Sequence, residues 1–186
     1  ALILGDNIFY GHNLSLLLKD SIRDHQGATI FAYSVNNPQR YGVIVLDENS
    51  RPIRIEEKPK KPKSNWVVTG LYFYDSKVTD FAQQLKPSWR QELEITDINN
   101  LYLREGRLKV VFLGRGYAWL DMGTYESLID ASVFIKTIEE RQGTIIGCIE
   151  EIAYRMGFIG KEQLNKLIEE DFNSPYVEYL RKILNE

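Results

Sequence analysis

The sequence is poor in the residues that form disulfides and histidine-based metal or catalytic sites. It contains one cysteine, Cys148, and two histidines, His12 and His25, among 186 residues. A single thiol cannot form an internal disulfide, and neither histidine has a second ligand at metal-binding spacing. We therefore expect a reducing compartment, the cytoplasm, and helix-start or surface roles for the histidines rather than catalysis.

Long apolar runs and an excess of basic charge are also lacking. No segment approaches the roughly 20 apolar residues that span a bilayer, and residues 1–4 lead into Gly5 and Asp6 without the basic flank of a signal peptide. The net charge of -3 provides no field that would attract a nucleic-acid backbone. We expect no membrane protein and no binder of nucleic-acid polymers, so a few placed cations or a metal must meet any phosphate.

What is present is the composition of a globular protein. Hydrophobic residues make up 44% of the chain and charged residues 26%, which suffices for a real core. The chain begins without methionine, inside an apolar run at residues 2–4 that is typical of a buried strand. We therefore expect a fragment whose preceding residues supply the neighbours of that strand.

Hydrophobic periodicity in the first half predicts strands that alternate with helices. Asn13 is positioned to cap a helix that Gly27 closes, and the strand 29–35 follows. Two short β-rich runs, 41–46 and 52–55, flank turn-forming residues and indicate a hairpin. This order favours an α/β fold with a mixed, mostly parallel, Rossmann-like sheet.

The C-terminal part changes character. A valine- and aromatic-rich strand is expected at 66–74, and a Ser174-Pro175 pair suits a helix start. Helical spacing dominates over 124–142, 161–169 and 175–184. We expect an α/β domain over residues 1–135 and a helical appendage over 136–186.

Two aspartates follow apolar runs. Asp6 comes after the first strand, and Asp121 lies between the run 117–120 and the helix expected from Thr124. The carboxyl ends of strands form the ligand crevice of open α/β sheets, and Mg²⁺ typically takes one or two carboxylates there. Spacing alone favours helix and turn capping, because aspartate caps are common, and the metal interpretation stays open beside it.

A charged pair follows the second strand of the hairpin. In Glu57-Lys58-Pro59 the proline is expected to hold Lys58 extended. A carboxylate beside a fixed ammonium suits a sugar phosphate, although a solvated charge cluster has the same pattern. Gly42 and Gly70 interrupt strand patterns, which indicates either close approach of a ligand or a bulge.

Two arginines are candidates for anion binding. Arg115 lies between two glycines, and Arg155 follows a pair of glutamates in the C-terminal part. They would form one anion site if the tail folds back onto the first domain. Taken singly, each is more typical of a surface ion pair of small energetic value.

Together these segments resemble the bacterial glucose-1-phosphate thymidylyltransferases, a family of sugar nucleotidylyltransferases. The similar runs are LGDNIFYGH (4–12), RYGV (40–43), EEKP (56–59), VTGLYFY (68–74), ELEITDIN (92–99), GRGYAWLD (114–121) and IEERQG (138–143). The resemblance covers essentially the whole chain. It implies the nucleotidyltransferase fold, in part, and favours functional over capping roles for the aspartates.

The resemblance implies a Mg²⁺-dependent reaction. A phosphate oxygen of glucose 1-phosphate attacks the α-phosphorus of dTTP, and dTDP-glucose and pyrophosphate are formed. This is the first step towards dTDP-rhamnose and the polysaccharides that contain it. The family also implies feedback inhibition by dTDP-rhamnose at a second nucleotide site, and a homotetramer in which the helical tail takes part.

The family's functional residues carry over by motif. Asp6 and Asp121 match the metal ligands, and Lys58 joins them as a catalytic residue because its ammonium offsets charge on the phosphates. The substrate pocket is matched by Asp6, Asn7, Gly42, Glu57, Lys58, Val68 and Asp121. The regulatory nucleotide site is matched by Tyr10, Gly11, Arg115, Glu151, Ile152 and Arg155.

One departure from the family is large. Its glycine-rich G-x-G-T-R loop, with the catalytic arginine and a nearby lysine, is absent from these 186 residues. We therefore expect this chain, as given, to be inactive by itself. The alternatives are a uridylyl- or cytidylyltransferase of the same fold and a non-catalytic nucleotide-binding regulatory module. A glycosyltransferase ranks last because no D-x-D pair is present.

Overall fold

The computed structural model describes residues 1–23, 26–170 and 174–186. The chain forms two compact units, Ala1–Gly123 and Thr124–Glu186, each with a hydrophobic core of its own. This division precedes the boundary after residue 135 that the sequence suggested, because Thr124 caps the helix that opens the second unit. The functional roles assigned to the two parts stay predictions.

The α/β class expected from the sequence is confirmed. The strands are β1 (Leu2–Ile3), β2 (Asn7–Gly11), β3 (Ala28–Ser34), β4 (Gly42–Leu46), β5 (Pro52–Glu57), β6 (Trp66–Tyr74), β7 (Leu108–Phe112) and β8 (Tyr117–Asp121). The helices of the first unit are α1 (Leu14–Ile22), α2 (Val78–Gln84) and α3 (Ile95–Arg104). The second unit contains α4 (Tyr125–Gln142), α5 (Ile149–Arg155), α6 (Lys161–Glu170) and α7 (Pro175–Asn185).

The main sheet of the first unit is mixed, with the order β5-β4-β6-β3-β7. Strand β6 has β3 along one side, and β4 and β1 along the other. Within the described ranges β3–β7 is the one parallel pair of this sheet, so the expected predominance of parallel strands is wrong. The reason is that β6 runs against β1, β3 and β4, and β4–β5 is a hairpin.

The hairpin itself is confirmed, and its turn is built by one aspartate. The Asp47 carboxylate accepts hydrogen bonds from the backbone N–H groups of Asn49 (2.9 Å) and Arg51 (2.8 Å). Ser50 then takes a positive φ of 60°, as turns of this kind require. The chain therefore reverses within four residues, and the end of β5 returns beside the start of β4.

The first strand differs from the expectation of a buried strand. Leu2, Ile3 and Leu4 are 43%, 60% and 43% exposed. In the part of the chain that the structure describes, β1 pairs with β6 alone, through Leu2↔Tyr72 and Ile3↔Leu71. Its apolar side chains therefore gain little burial from the described residues.

Helix ends follow the predicted chemistry in some places and not in others. Asn13 precedes α1, but its backbone is left-handed (φ 57°) and its side chain makes no capping hydrogen bond. Gly27 does not end α1, which stops at Ile22. It packs instead against the backbone of Arg107, where a side chain would lie 2.2 Å from the carbonyl oxygen. His12 is exposed before α1, and His25 lies outside the described residues.

The second unit is helical, as expected. Thr124 and Ser127 form a reciprocal capping box at the start of α4, and Gly143 ends the helix with φ 65°. Ser174 caps α7 by accepting from the Val177 N–H, with proline at the first helical position. No helix in the described ranges is long and apolar enough to cross a membrane.

Candidate active site

A cavity of about 530 Å³ opens in the first unit. Its walls come from the loop before β2, the adjoining ends of β4 and β5, the middle of β6, the start of α3 and the end of β8. All seven residues predicted to bind substrate line it, namely Asp6, Asn7, Gly42, Glu57, Lys58, Val68 and Asp121. The carboxylate pair and the Glu57-Lys58 pair therefore face one space.

A two-stranded sheet brings the two aspartates together. Strands β2 and β8 are antiparallel, with Asn7 opposite Asp121. The N–H of Met122 donates to the Asp6 carbonyl over 2.8 Å, which extends the pairing by one step. Because Asp6 directly precedes β2 and Asp121 ends β8, the two carboxylates are neighbours although the residues are distant in sequence.

The electrostatics of Asp121 suit a cation. Burial raises the pKa of the Asp121 carboxyl, and the nearby negative charge of Asp6 raises it further. A hydrogen bond with the Tyr41 hydroxyl and the charges of Arg40 and Lys58 act in the opposite direction. The site thus concentrates negative charge that a bound divalent cation would offset.

The donor set is compatible with Mg²⁺. Among the described residues no group of three or more His, Cys, Asp or Glu side chains could hold a metal ion. Asp6 and Asp121 supply two carboxylates, which is the number that Mg²⁺ commonly takes while it keeps water and phosphate oxygens as its other ligands. The residues present therefore fit Mg²⁺ held jointly with a phosphorylated substrate.

The side chain of Asn7 makes three hydrogen bonds within the site. Its Oδ1 accepts hydrogen bonds from the Gly70 N–H (3.1 Å) and from the Trp119 indole N–H (2.6 Å). Its Nδ2 donates to Asp6 Oδ1 over 2.8 Å. The amide thereby joins the main sheet, through β6, to the β2–β8 ribbon and to a predicted metal ligand.

Glu57 is held at the end of β5 by two partners. Thr96 Oγ1 donates to Glu57 Oε2 over 2.5 Å, and the Arg90 guanidinium lies 3.6 Å from Glu57 Oε1. Gly42 lies opposite Glu57 across the hairpin, and a side chain there would be 3.0 Å from Thr96 Oγ1. The absence of that side chain keeps the backbone beside Glu57 open to a ligand.

Lys58 departs from the extended conformation expected before a proline. Its φ is 42°, in the left-handed region that residues other than glycine seldom adopt. Its N–H donates to the Tyr41 carbonyl over 3.0 Å, which continues the hairpin pairing and holds this backbone. Conformations of this kind cost about 1–3 kcal/mol and cluster at functional sites.

Several lining residues were missed by reasoning from sequence. They are Leu4, Arg40, Tyr41, Thr69, Gly70, Tyr72, Ile95, Thr96, Trp119 and Gly123. Most lie inside the runs that carried the family resemblance, so the motif was visible but the roles were not. The sequence predicts close approach of a ligand or a bulge at Gly70, whereas the group that approaches it in the structure is the Asn7 side chain, whose Oδ1 lies 2.5 Å from where a Cβ would be.

The residues predicted for a regulatory nucleotide site lie in both units. In the first unit, Tyr10 and Gly11 belong to β2, and Arg115 is exposed in the turn before β8. Gly11 packs so closely on Tyr117 that a Cβ would lie 2.3 Å from its ring.

The other half of the predicted regulatory site lies on α5 of the second unit. The Arg155 guanidinium pairs with Glu151 (2.7 Å) and with Glu186 (2.5 Å), while Ile152 is 47% exposed. The nucleotide-binding role of both groups of residues stays a prediction.

Comparison with known proteins agrees with this geometry. A sequence model of the family described as Nucleotidyl transferase matches residues 1–138. The glucose-1-phosphate thymidylyltransferase of Neisseria meningitidis serogroup A is 51% identical over 99% of this chain, and that of Xanthomonas campestris 54% over 97%. The chain covers 64% and 61% of those relatives, which is less than two thirds of their length.

Solved structures point the same way. A crystal structure from Bacillus anthracis, assigned as a glucose-1-phosphate thymidylyltransferase in complex with sucrose, is 45% identical with a TM-score of 0.60. The similarity covers 71% of this chain and 52% of that one. A UDP-glucose pyrophosphorylase complexed with UDP-glucose shares the fold, with a TM-score of 0.64 and 21% identity. That similarity covers 73% of this chain and 55% of the other. The predicted resemblance is therefore confirmed, and the chain belongs to the nucleotidyl transferase family.

Proposed function

We propose that the full-length protein transfers a thymidylyl group from dTTP to glucose 1-phosphate, giving dTDP-glucose and pyrophosphate. One observation carries the proposal: two adjacent carboxylates and the Glu57-Lys58 pair line the same cavity. The identity of about half with enzymes named glucose-1-phosphate thymidylyltransferase supports the choice of substrates. Because the chain spans less than two thirds of those enzymes, the proposal concerns the whole protein.

The residues of this chain have separable tasks in the proposed reaction. Glu57 accepts hydrogen bonds from sugar hydroxyls, and Lys58 meets the phosphate as a point charge. Gly42 lets the sugar approach the backbone, and Val68 provides an apolar wall. Asn7 fixes the orientation of Asp6. These contacts hold the nucleophilic phosphate oxygen in line with the α-phosphorus, which is the main contribution a protein makes to such a transfer.

Mg²⁺ is the proposed cofactor, and Asp6 and Asp121 would hold it. When bound, the ion would neutralise charge on the phosphates of the nucleotide. Tyr41 and Asp121 line the cavity together, so the Tyr41 hydroxyl is available as a polar neighbour of that carboxylate.

Regulation and assembly belong to the same proposal. We propose that dTDP-rhamnose inhibits the enzyme at a second site, and that the protein is a homotetramer that acts in the cytoplasm. The cation at Arg115 and the Glu151–Arg155 ion pair are groups able to recognise a nucleotide phosphate and its sugar hydroxyls.

The test is turnover by the purified full-length protein with glucose 1-phosphate and each of dTTP, UTP and CTP. We expect pyrophosphate release to be fastest with dTTP and to stop on chelation of divalent metal. Faster turnover with UTP or CTP would identify a uridylyl- or cytidylyltransferase. No turnover, with nucleotide binding that survives Asp121→Asn but is lost in Arg115→Ala, would identify a regulatory module.

A further inference from the structure

The side chain of Asn7 has only one possible orientation. Its Oδ1 faces two groups that can only donate, the Gly70 N–H at 3.1 Å and the Trp119 indole N–H at 2.6 Å. A rotated amide would place its own N–H groups against both donors. The Nδ2 must therefore point to Asp6, where it donates to Oδ1 over 2.8 Å.

The indole of Trp119 is itself immobilised. Trp119 is 9% exposed, and its ring packs edge-to-face on Tyr33 and Tyr41, with centroids 6.0 and 5.1 Å apart. Its N–H therefore occupies a fixed place. Since Tyr41 and Asp121 also line the same cavity, the aromatic cluster that holds the indole lies beside both carboxylates.

The geometry of strand β8 explains why Trp119 contacts both Asn7 and Tyr41. Trp119 and Asp121 are two positions apart on β8, so their side chains lie on the same face of the ribbon. Asn7, directly opposite Asp121, completes the group. The indole N–H of Trp119 reaches Asp6 through the Asn7 side chain. The indole ring packs on Tyr41, which lies beside Asp121.

We infer that Trp119 is a positioning residue: its indole N–H sets the orientation of Asn7 and thereby the place of the Asp6 carboxylate relative to that of Asp121. The inference rests on the proposed function only where it assigns these carboxylates to a divalent cation. The geometric part, an indole N–H that orients Asn7 and through it Asp6, is independent of any bound group.

The first experiment tests that geometric part. A crystal structure of full-length Trp119→Phe removes the indole N–H and keeps an aromatic ring. The Gly70 N–H still donates to Asn7 Oδ1 in this variant. We therefore expect the Asn7 side chain to shift rather than to turn over, and its hydrogen bond to Asp6 to be lost. If Asn7 and Asp6 keep their places in this variant, the inference is wrong, whatever the activity of the protein.

The second experiment measures Mn²⁺ binding to the full-length protein by electron paramagnetic resonance, with Mn²⁺ alone. We expect Trp119→Phe and Asn7→Ala each to weaken binding on the order of tenfold. We expect the double variant to be no weaker than Asn7→Ala, because both changes act along one route. Losses that multiply in the double variant would show that Trp119 does not act through Asn7.

The matched control is Tyr33→Phe. It removes a hydroxyl from the same aromatic cluster, one that donates to the Tyr117 carbonyl at 3.1 Å. We expect its Mn²⁺ affinity to equal that of the unaltered protein, and an equal loss in Tyr33→Phe would overturn the inference by showing general loosening. If the unaltered protein binds no Mn²⁺ but the Trp119→Phe crystal shows the expected shift of Asn7, the metal assignment fails and the positioning role stands.

Discussion

Thr96 Oγ1 donates a hydrogen bond of 2.5 Å to Glu57 Oε2, across 39 positions of sequence. Thr96 is at the start of α3 and only 4% exposed, while Glu57 ends β5 and faces the cavity. The bond connects a helix to the hairpin at the point where the proposed sugar contact is made. A buried donor of this kind limits the rotamers that the carboxylate can adopt.

We expect Thr96→Val to raise KM for glucose 1-phosphate about tenfold, with a smaller change in kcat. A tenfold change corresponds to about 1.4 kcal/mol, close to the value of one hydrogen bond to a charged group. The measurement is steady-state kinetics at saturating dTTP. Thr96→Ser keeps the hydroxyl and should retain the original KM, and an unchanged KM in Thr96→Val would contradict the role of the bond.

Asp121→Asn is expected to stabilise the metal-free protein while it abolishes activity. Burial, followed by the charge of Asp6, raises the pKa of Asp121 in the fold. A carboxyl whose pKa is raised by folding destabilises the folded state at pH values above that raised pKa. This destabilisation disappears at low pH, where the carboxyl is protonated in both the folded and the unfolded state. At pH 7 with chelator, the urea midpoint should rise, and turnover should fall on the order of a hundredfold or more.

The control for that prediction is Glu48→Gln, which removes an exposed carboxylate in the hairpin turn. It should alter neither the midpoint nor the turnover. A lower urea midpoint in Asp121→Asn would show that the carboxylate contributes to folding rather than opposing it.

Asn100 protects the edge of the main sheet. Its Oδ1 accepts from the Ile55 N–H (2.9 Å) and its Nδ2 donates to the Ile55 carbonyl (2.8 Å), so the side chain takes the place of a neighbouring strand. We expect Asn100→Ala to lower the free energy of unfolding by about 1–3 kcal/mol, because both backbone groups lose their partners. The measurement is chemical denaturation.

Asn165→Ala is the matched control for the edge prediction, since that amide donates to the exposed Glu169 on the same helix rather than to a strand. Its effect should stay within about 0.5 kcal/mol. If Asn100→Ala unfolds at the same denaturant concentration as the unaltered protein, water satisfies the β5 edge and the side chain is dispensable.

Asp75 should make stability depend on acid pH. Burial acts to raise the pKa of Asp75, but hydrogen bonds from the Tyr102 hydroxyl, the Lys77 N–H and Arg107 outweigh it and lower the pKa. The stabilisation is therefore present above the unfolded pKa of about 3.9 and is lost as pH falls through the lower folded value. We expect Asp75→Asn to be less stable than the unaltered protein at pH 7, with a difference that shrinks as pH falls below about 4.

Denaturation midpoints at a series of pH values test this dependence. Asp20→Asn serves as the comparison, because Asp20 forms an exposed pair with Arg23 on α1. A gap between Asp75→Asn and the unaltered protein that stays constant from pH 7 to pH 3 would contradict the assignment.

The amino-acid sequence by itself determined several local elements and indicated the family. Alternation with valine and aromatics predicted β6, the turn-forming residues between 46 and 52 predicted the hairpin, and Ser174-Pro175 predicted the start of α7. These features could be predicted because side-chain periodicity and turn chemistry are properties of a few consecutive residues. The short runs that include Asp6, Lys58 and Asp121 were also visible, and they indicated the family.

Tertiary structure alone decided which of these pieces meet and in what direction. The pairing of β2 with β8, the antiparallel placement of β6, and the bond of Asn7 to Trp119 across 112 positions of sequence have no local signal. The left-handed backbone of Lys58 overrode the preference set by Pro59, because the hydrogen bond to Tyr41 fixes that turn. Partners and directions are chosen by burial and hydrogen bonding summed over the whole unit, a quantity that no short stretch of sequence contains.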